Sequence, residues 1–126
     1  MTNIGNYDDI EVTLNEHVAL IEIQRPPHNF FDHALIGQLA DACEALDGNA
    51  ECRSIVLAAQ GKSFCAGANF GDGSGQKILE DAKPKKPTNH LYEEAVRLFG
   101  TTKPIVGAIQ GAAIGGGLGL ALVPDF

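Results

Sequence analysis

The stretch GAAIGGGLGLAL, residues 111–122, decides how this chain folds. It follows the apolar run IVGAI of residues 105–109 and contains three consecutive glycines at positions 115–117. Glycine has no Cβ, so a glycine-rich turn lets the backbone approach a ligand or another segment closely. We therefore predict a buried strand, a tight turn and the start of a packed helix over residues 105–122.

Three other interpretations of this stretch are weaker. A dinucleotide loop needs GxGxxG, but Leu120 or Leu122 stands where the third glycine belongs. A Walker loop needs a lysine, and none follows Lys103. The uncharged run of residues 105–123 has the length of a membrane span, but its many glycines would make a weak helix. We therefore expect no membrane partner.

Composition predicts one acidic globular domain. The chain has 126 residues, of which 44% are hydrophobic, so it can bury a core. Its 9 Lys and Arg against 16 Asp and Glu give a net charge of -7, which argues against nucleic acid as a partner. Three cysteines without CxxC spacing, and a start without the pattern of a secretory signal, predict a cytoplasmic location.

The first half of the chain predicts a hairpin followed by a helix. The β-rich runs IEVTL and HVALIEI, residues 10–14 and 17–23, are separated by Asn15 and Glu16, which we interpret as the turn. After the proline-containing segment RPPHNFFD, Asp32 is placed to cap a helix. Apolar residues recur at helical spacing after it: Leu35, Leu39, Ala42 and Leu46.

The second half alternates strands, loops and helices. The apolar run SIVLAA, residues 54–59, predicts a buried strand that leads into a glycine-rich loop, and HLYEEAVRLFG, residues 90–100, predicts a helix. Between them, residues 76–89 are rich in charge and proline, which predicts a mobile excursion. Its lysines offer an alternative role in phosphate binding: Lys83, Lys85 and Lys86. This alternation is typical of α/β architecture, in which sites lie beyond the carboxyl ends of the strands.

Both glycine loops follow such strand ends. Backbone N–H groups from SFCAGANF, residues 63–70, and from the triple glycine are therefore candidates to face one ligand oxygen, as in an oxyanion hole. The residues alone leave a second interpretation open, in which both loops are only close-packed turns.

The chain resembles the N-terminal half of the enoyl-CoA hydratase/isomerase, or crotonase, superfamily. The resemblance is carried by HVALIEIQRPPHNFFD, GKSFCAGANF and KPIVGAIQGAAIGGGLGLALVPDF, in this order along most of the chain. It implies the α/β fold of the ClpP/crotonase group, a spiral core of ββα units. It also implies that residues 1–126 form the N-terminal portion of a truncated crotonase-fold domain.

The resemblance also implies a ligand and a site. Family members hold the thioester carbonyl of an acyl-CoA between two backbone N–H groups, which correspond here to Ala68 and Gly116. Ala66 and the turn around His28 correspond to places where the family touches coenzyme A. Coenzyme A enters as part of the substrate, so no separate cofactor is expected. Two further side chains are placed on the acyl side: Phe70 and Leu118.

Departures from the family pattern leave enzymatic activity open. Family hydratases carry a glutamate where this chain has Gly119, and their second glutamate falls in a region beyond Phe126. Proton transfer needs such a group. The resemblance therefore favours isomerase-like chemistry over hydration, or alternatively an incomplete fragment that binds acyl-CoA or a partner. It also implies a homo-oligomer, a trimer or hexamer, where the full family domain is present.

Other reactive side chains are weaker candidates for catalysis or metal binding. Cys65 lies within the first glycine loop, but no histidine is placed beside it by sequence, so we do not expect a nucleophile. The histidines at positions 17, 33 and 90 lack metal-ligand spacing, and we expect no metal. Substitute acids in the excursion region are a minor possibility: Asp72, Glu80 and Asp81.

Overall fold

A computed structural model describes residues 2–67 and 91–126 of the chain. A single five-stranded sheet has the strand order β1-β2-β3-β4-β5. The strands are β1 (Thr2–Asn3), β2 (Ile10–Asn15), β3 (Val18–Ile23), β4 (Ser54–Ala59) and β5 (Ile105–Gly107), and the helices are α1 (His33–Asp47), α2 (Leu91–Phe99) and α3 (Gly116–Ala121). The predicted excursion at 76–89 lies outside the described residues, as do Ala68, Phe70, Asp72, Glu80, Asp81, the three lysines and His90.

The predicted hairpin is confirmed, but its turn was placed one residue too early. β2 and β3 pair antiparallel, with Asn15 opposite Val18. The two turn residues are Glu16 and His17, with φ of 49° and 71°. Two successive positive φ values match the right-handed twist of the flanking strands. His17, which we expected in a strand, therefore lies in the turn.

The sheet becomes parallel from β3 onward, because α1 forms the crossover between β3 and β4. Asp32 caps α1 as predicted, since its side chain accepts a hydrogen bond from the Leu35 N–H at 2.9 Å. The predicted apolar face of α1 is buried: Leu35, Leu39, Ala42 and Leu46. These side chains share one core with the inner faces of β3 and β4.

α2 packs against α1. Its apolar positions face the common core: Leu91, Ala95 and Leu98. Arg97, in the last turn of α2, donates hydrogen bonds of 2.7 Å to Asp41 and Glu44 of α1. The two helices are therefore joined by apolar packing and by an ion-pair cluster at the surface.

The stretch 105–122 forms a strand, a turn and a helix, as predicted. β5 is parallel to β4 and is only three residues long. After a loop, α3 begins at Gly116, with Gly115 as its N-cap at a φ of 57°. No helix in the described part of the chain is long and apolar enough to cross a membrane. The predicted cytoplasmic location stays a prediction.

Candidate functional site

The loops that follow β4 and β5 lie side by side. We call residues 60–67 the first loop and residues 108–115 the second loop. They form a parallel bridge between Cys65 and Ala113. The Cys65 N–H donates to the Ala112 carbonyl at 3.1 Å, and the Ile114 N–H donates to the Cys65 carbonyl at 3.0 Å. The two loops thus extend the sheet beyond the carboxyl ends of its strands.

Glycines make this approach possible at the second loop and at the start of α3. A Cβ at Gly111 would overlap the Lys62 carbonyl, and one at Gly117 would overlap the Cys65 carbonyl. Gly111 also has a φ of +62°, which L-residues rarely adopt. Any side chain at either position would therefore push the two loops apart.

A third segment, the turn that leads from β3 to α1, packs against the first loop. The His28 carbonyl accepts a hydrogen bond from the Ala66 N–H at 3.0 Å, and the Phe31 N–H donates to the Gly67 carbonyl at 3.1 Å. Asn29 is fully buried, and its side-chain amide donates to two carbonyls of the first loop region. The turn therefore fixes the backbone on either side of the Ala66–Gly67 peptide.

An ion-pair network holds this turn in place. Arg25 lies 2.7 Å from Asp9 and 3.0 Å from Asp32, and it donates to the Phe30 carbonyl at 3.1 Å. The hydrogen bond from Arg25 lowers the pKa of Asp9 below its ordinary value. The same guanidinium therefore links the β1–β2 connection, the turn and the N-cap of α1.

Gly116 is the first residue of α3 and has an unused donor. Among residues 2–67 and 91–126, its N–H has no hydrogen-bond partner, as is usual for the first N–H groups of a helix. A Cβ at this position would overlap the outer edge of the Phe31 ring, so the ring lies directly on the Gly116 backbone. The backbone of Phe31 contacts the first loop while its side chain contacts α3.

An apolar cavity of about 220 Å³ adjoins Gly116. No carboxylate, imidazole or thiol stands among the described residues of its wall: Phe31, Ile36, Leu91, Tyr92, Ala95, Leu98, Phe99, Gly116, Gly119, Leu120 and Val123. Gly119 has open space where a Cβ would be. Leu118, which we expected on the acyl side, does not line this cavity, and its side chain is half exposed.

Gly116, Ala66 and His28, three of the site residues that the sequence indicates, lie in the described part of the chain. Gly116 lies at the cavity wall, and Ala66 contacts His28 through the backbone. Ala68 lies outside the described residues, although it directly follows Gly67 in the chain. Sequence reasoning missed Asn29 and Phe31. The turn around His28 was expected, and an asparagine in such a turn indicates a side chain that bonds to nearby backbone or a positive φ, which is 51° for Asn29.

The reactive side chains near the site are poorly suited to chemistry. Cys65 is fully buried, and burial raises the pKa of its thiol. A nucleophilic cysteine must be a thiolate, and the raised pKa disfavours that form. Within the described ranges, no group of three or more His, Cys, Asp or Glu residues has the arrangement of a metal site. The backbone, and not a side chain, is therefore the candidate functional group.

A sequence profile described as Enoyl-CoA hydratase/isomerase matches residues 13–126. The chain belongs to this family. A probable enoyl-CoA hydratase of Mycobacterium tuberculosis is 31% identical over 97% of this chain and 47% of its own length. A second, from Mycobacterium bovis, is 41% identical over 93% of this chain and 45% of its own length. The chain thus spans about half the length of the curated relatives it matches.

Solved structures confirm the predicted crotonase fold. An enoyl-CoA hydratase subunit from Geobacillus kaustophilus superimposes with a TM-score of 0.81 at 29% identity. The match covers 97% of this chain and 46% of that structure. The described strands and helices therefore correspond to part of a larger fold in this relative.

Proposed function

We propose that this chain binds acyl-CoA thioesters, with the thioester oxygen accepting hydrogen bonds from the Gly116 and Ala68 N–H groups. The unused Gly116 donor at the wall of an apolar cavity is the observation that carries the proposal. A donor that is fixed before the ligand arrives stabilises charge on the oxygen without reorganisation. The proposed outcome is stabilisation of the thioester enolate.

The contacts of the first loop support the placement of the second donor. Cys65 and Ala66 are each fixed by a backbone hydrogen bond, and the Gly67 carbonyl is held by Phe31. These contacts fix the first loop as far as Gly67, the residue that precedes Ala68 in the chain. Ala66 and His28 are proposed to contact coenzyme A, in keeping with the family resemblance. Coenzyme A is then part of the substrate.

The proposed chemistry is isomerase-like and not hydration. Hydration requires water to be oriented and a proton to be moved. Gly119 offers no acid at the position where family hydratases have one, and the cavity wall in the described ranges has no carboxylate. The alternative function is acyl-CoA binding without turnover, which the same apolar wall favours.

Titration with crotonyl-CoA tests the ligand. Amide resonances of Gly116 and of the first loop should shift, while NAD and ATP at the same concentration should leave them in place. Free coenzyme A is the matched control. Because it lacks the thioester, it should shift the amide resonances of the first loop and leave the resonance of Gly116 unchanged. If crotonyl-CoA moved neither loop, the site assignment would be wrong.

Hydration assays test the reaction class. We expect the 126-residue chain to hydrate crotonyl-CoA no faster than buffer. After the chain is joined to the C-terminal half of a longer relative, Gly119→Glu should increase hydration, since open space at Gly119 admits the side chain. Equal hydration with and without this substitution would contradict the argument from this position.

Self-association is the remaining part of the proposal. Large apolar side chains are exposed on the second loop, on α3 and beyond it: Ile114, Leu118, Leu122 and Phe126. Exposed apolar residues in one region are typical of an interface. With the chain joined to the C-terminal half of a longer relative, sedimentation velocity should therefore show a trimer or hexamer at micromolar concentration, and a monomer at every concentration tested would contradict this part.

A further inference from the structure

We propose that Phe31 determines which acyl chains the site accepts. This inference depends on the proposed function, because it assumes that the cavity beside Gly116 holds the acyl group. Phe31 contacts both the first loop and the start of α3. Its N–H donates to the Gly67 carbonyl, and the outer edge of its ring lies on the Gly116 backbone.

The ring is also part of the cavity wall. It lines the cavity together with side chains of α2 and with Gly116. An acyl chain whose carbonyl is bound at the Gly116 N–H must therefore pass close to this ring. The hydrogen bond to Gly67 fixes the backbone of Phe31, so the ring can move only by rotation about its side-chain bonds.

Because the cavity wall is apolar, affinity should depend on the length of the acyl chain, and this dependence is the quantity to measure. Each methylene group that leaves water should raise affinity about fourfold, from about 0.8 kcal/mol per buried CH₂. This gain ends where the chain meets the wall or returns to solvent. Affinity plotted against chain length should therefore rise and then reach a plateau, and the length at the plateau measures the space that the ring leaves.

Calorimetric titration with butyryl-, hexanoyl-, octanoyl-, decanoyl- and dodecanoyl-CoA measures this plateau in the 126-residue chain. Phe31→Ala should move the plateau to longer chains, and Phe31→Leu should move it by a smaller amount. Phe31→Trp should move it to shorter chains. The leucine variant preserves apolar packing on Gly116, so it keeps the test informative if the alanine variant unfolds.

Phe30→Ala is the matched control. Phe30 lies in the same turn, but its ring faces His28, with ring centroids 5.0 Å apart, and it is not part of the cavity wall. This variant should change the affinities for all chain lengths, and for free coenzyme A, by the same factor. Its plateau should remain at the wild-type length.

The outcomes separate this inference from the proposed function. A plateau that shifts in the order Trp, Phe, Leu, Ala supports the role of Phe31. Acyl-CoA binding with the same plateau in all Phe31 variants overturns that role and leaves the proposed function intact. Failure of wild-type protein to bind any of the five thioesters overturns both.

Discussion

The two loops of the candidate site are positioned by different means. The first loop is held by polar side chains, since Asn29 of the turn before α1 donates to Gln60 and Ser63, and Gln110 of the second loop donates to Gly61 and to Ala59 of β4. At Gly111 and Gly117, the second loop and the start of α3 approach the first loop through backbone that carries no side chain. The first loop should therefore be sensitive to loss of hydrogen bonds, and the second to added atoms.

Gly111→Ala should have the largest effect. The new Cβ would overlap the Lys62 carbonyl, which is backbone and cannot move aside, and the φ of +62° adds strain. We expect the free energy of unfolding to fall by about 3 to 5 kcal/mol in urea titration. Gly115→Ala is the control, because it has a similar φ of +57° with open space at the Cβ, so its cost of about 1 to 3 kcal/mol reflects backbone strain alone. Equal losses would show that strain, not contact, governs the second loop.

Asn29→Ala should have the next largest effect. The side chain is fully buried and makes three hydrogen bonds: to the Gln60 and Ser63 carbonyls and from the Arg25 N–H. Leaving these groups unpaired should lower the free energy of unfolding by about 2 to 4 kcal/mol. Asn29→Gly separates the causes, because it relieves strain at the φ of 51° but also lacks the amide. An alanine variant as stable as wild type would contradict the role of the amide.

Gln110→Ala should have a smaller effect. Its amide donates to the Ala59 carbonyl at 2.7 Å and to the Gly61 carbonyl at 2.9 Å, at a partly exposed position where water can replace it. We expect a loss of about 1 to 2 kcal/mol in thermal or urea unfolding. Gln110→Glu, which keeps the shape but not the donors, should lose at least as much. Full stability in the glutamate variant would show that these two hydrogen bonds do not hold the first loop.

The smallest effect should be that of acid on the Arg25 network. Because Arg25 lowers the folded-state pKa of Asp9, this pair stabilises the fold above the ordinary pKa of aspartate, about 3.9. That stabilisation is lost as the pH falls through the lowered folded-state pKa. Asp9→Asn should therefore show a shallower fall in unfolding free energy below about pH 4 than wild type. Parallel curves for the two proteins would contradict this assignment.

The sequence predicted the elements of the fold because they depend on local patterns. The cap at Asp32, the apolar face of α1 and the strand over 54–59 follow from residues within a few positions of one another. The turn of the hairpin was misplaced because neither Glu16 nor His17 is a residue that prefers positive φ, so no turn signal was present. The type and approximate length of each strand and helix were thus better predicted than the exact position of the hairpin turn.

The site was predicted only in its backbone positions. Gly116 follows from the triple glycine and the family resemblance, whereas the contact between its backbone and Phe31 joins residues far apart in sequence. The same holds for Asn29, whose partners Gln60 and Ser63 are more than thirty positions away. A single sequence contains no spacing rule for such contacts, because tertiary packing determines them.

Enolate formation by acetoacetyl-CoA is the most direct test of the Gly116 donor. Two double variants are compared: Phe31→Ala with Gly116→Ala, and Phe31→Ala with Gly116→Pro. Removal of the ring makes room for a Cβ in both, and only the proline variant lacks the N–H. Proline is tolerated at the first position of a helix, and no described partner loses a hydrogen bond. Matching circular dichroism and equal affinity for free coenzyme A establish that both variants are folded.

The measurement is the pH at which half of the bound acetoacetyl-CoA is enolate, followed by its near-ultraviolet absorbance. One oxyanion donor is worth roughly 3 kcal/mol, so the midpoint should be about two pH units higher in the proline variant than in the alanine variant. Equal midpoints in the two variants would contradict the claim that the Gly116 N–H stabilises the enolate.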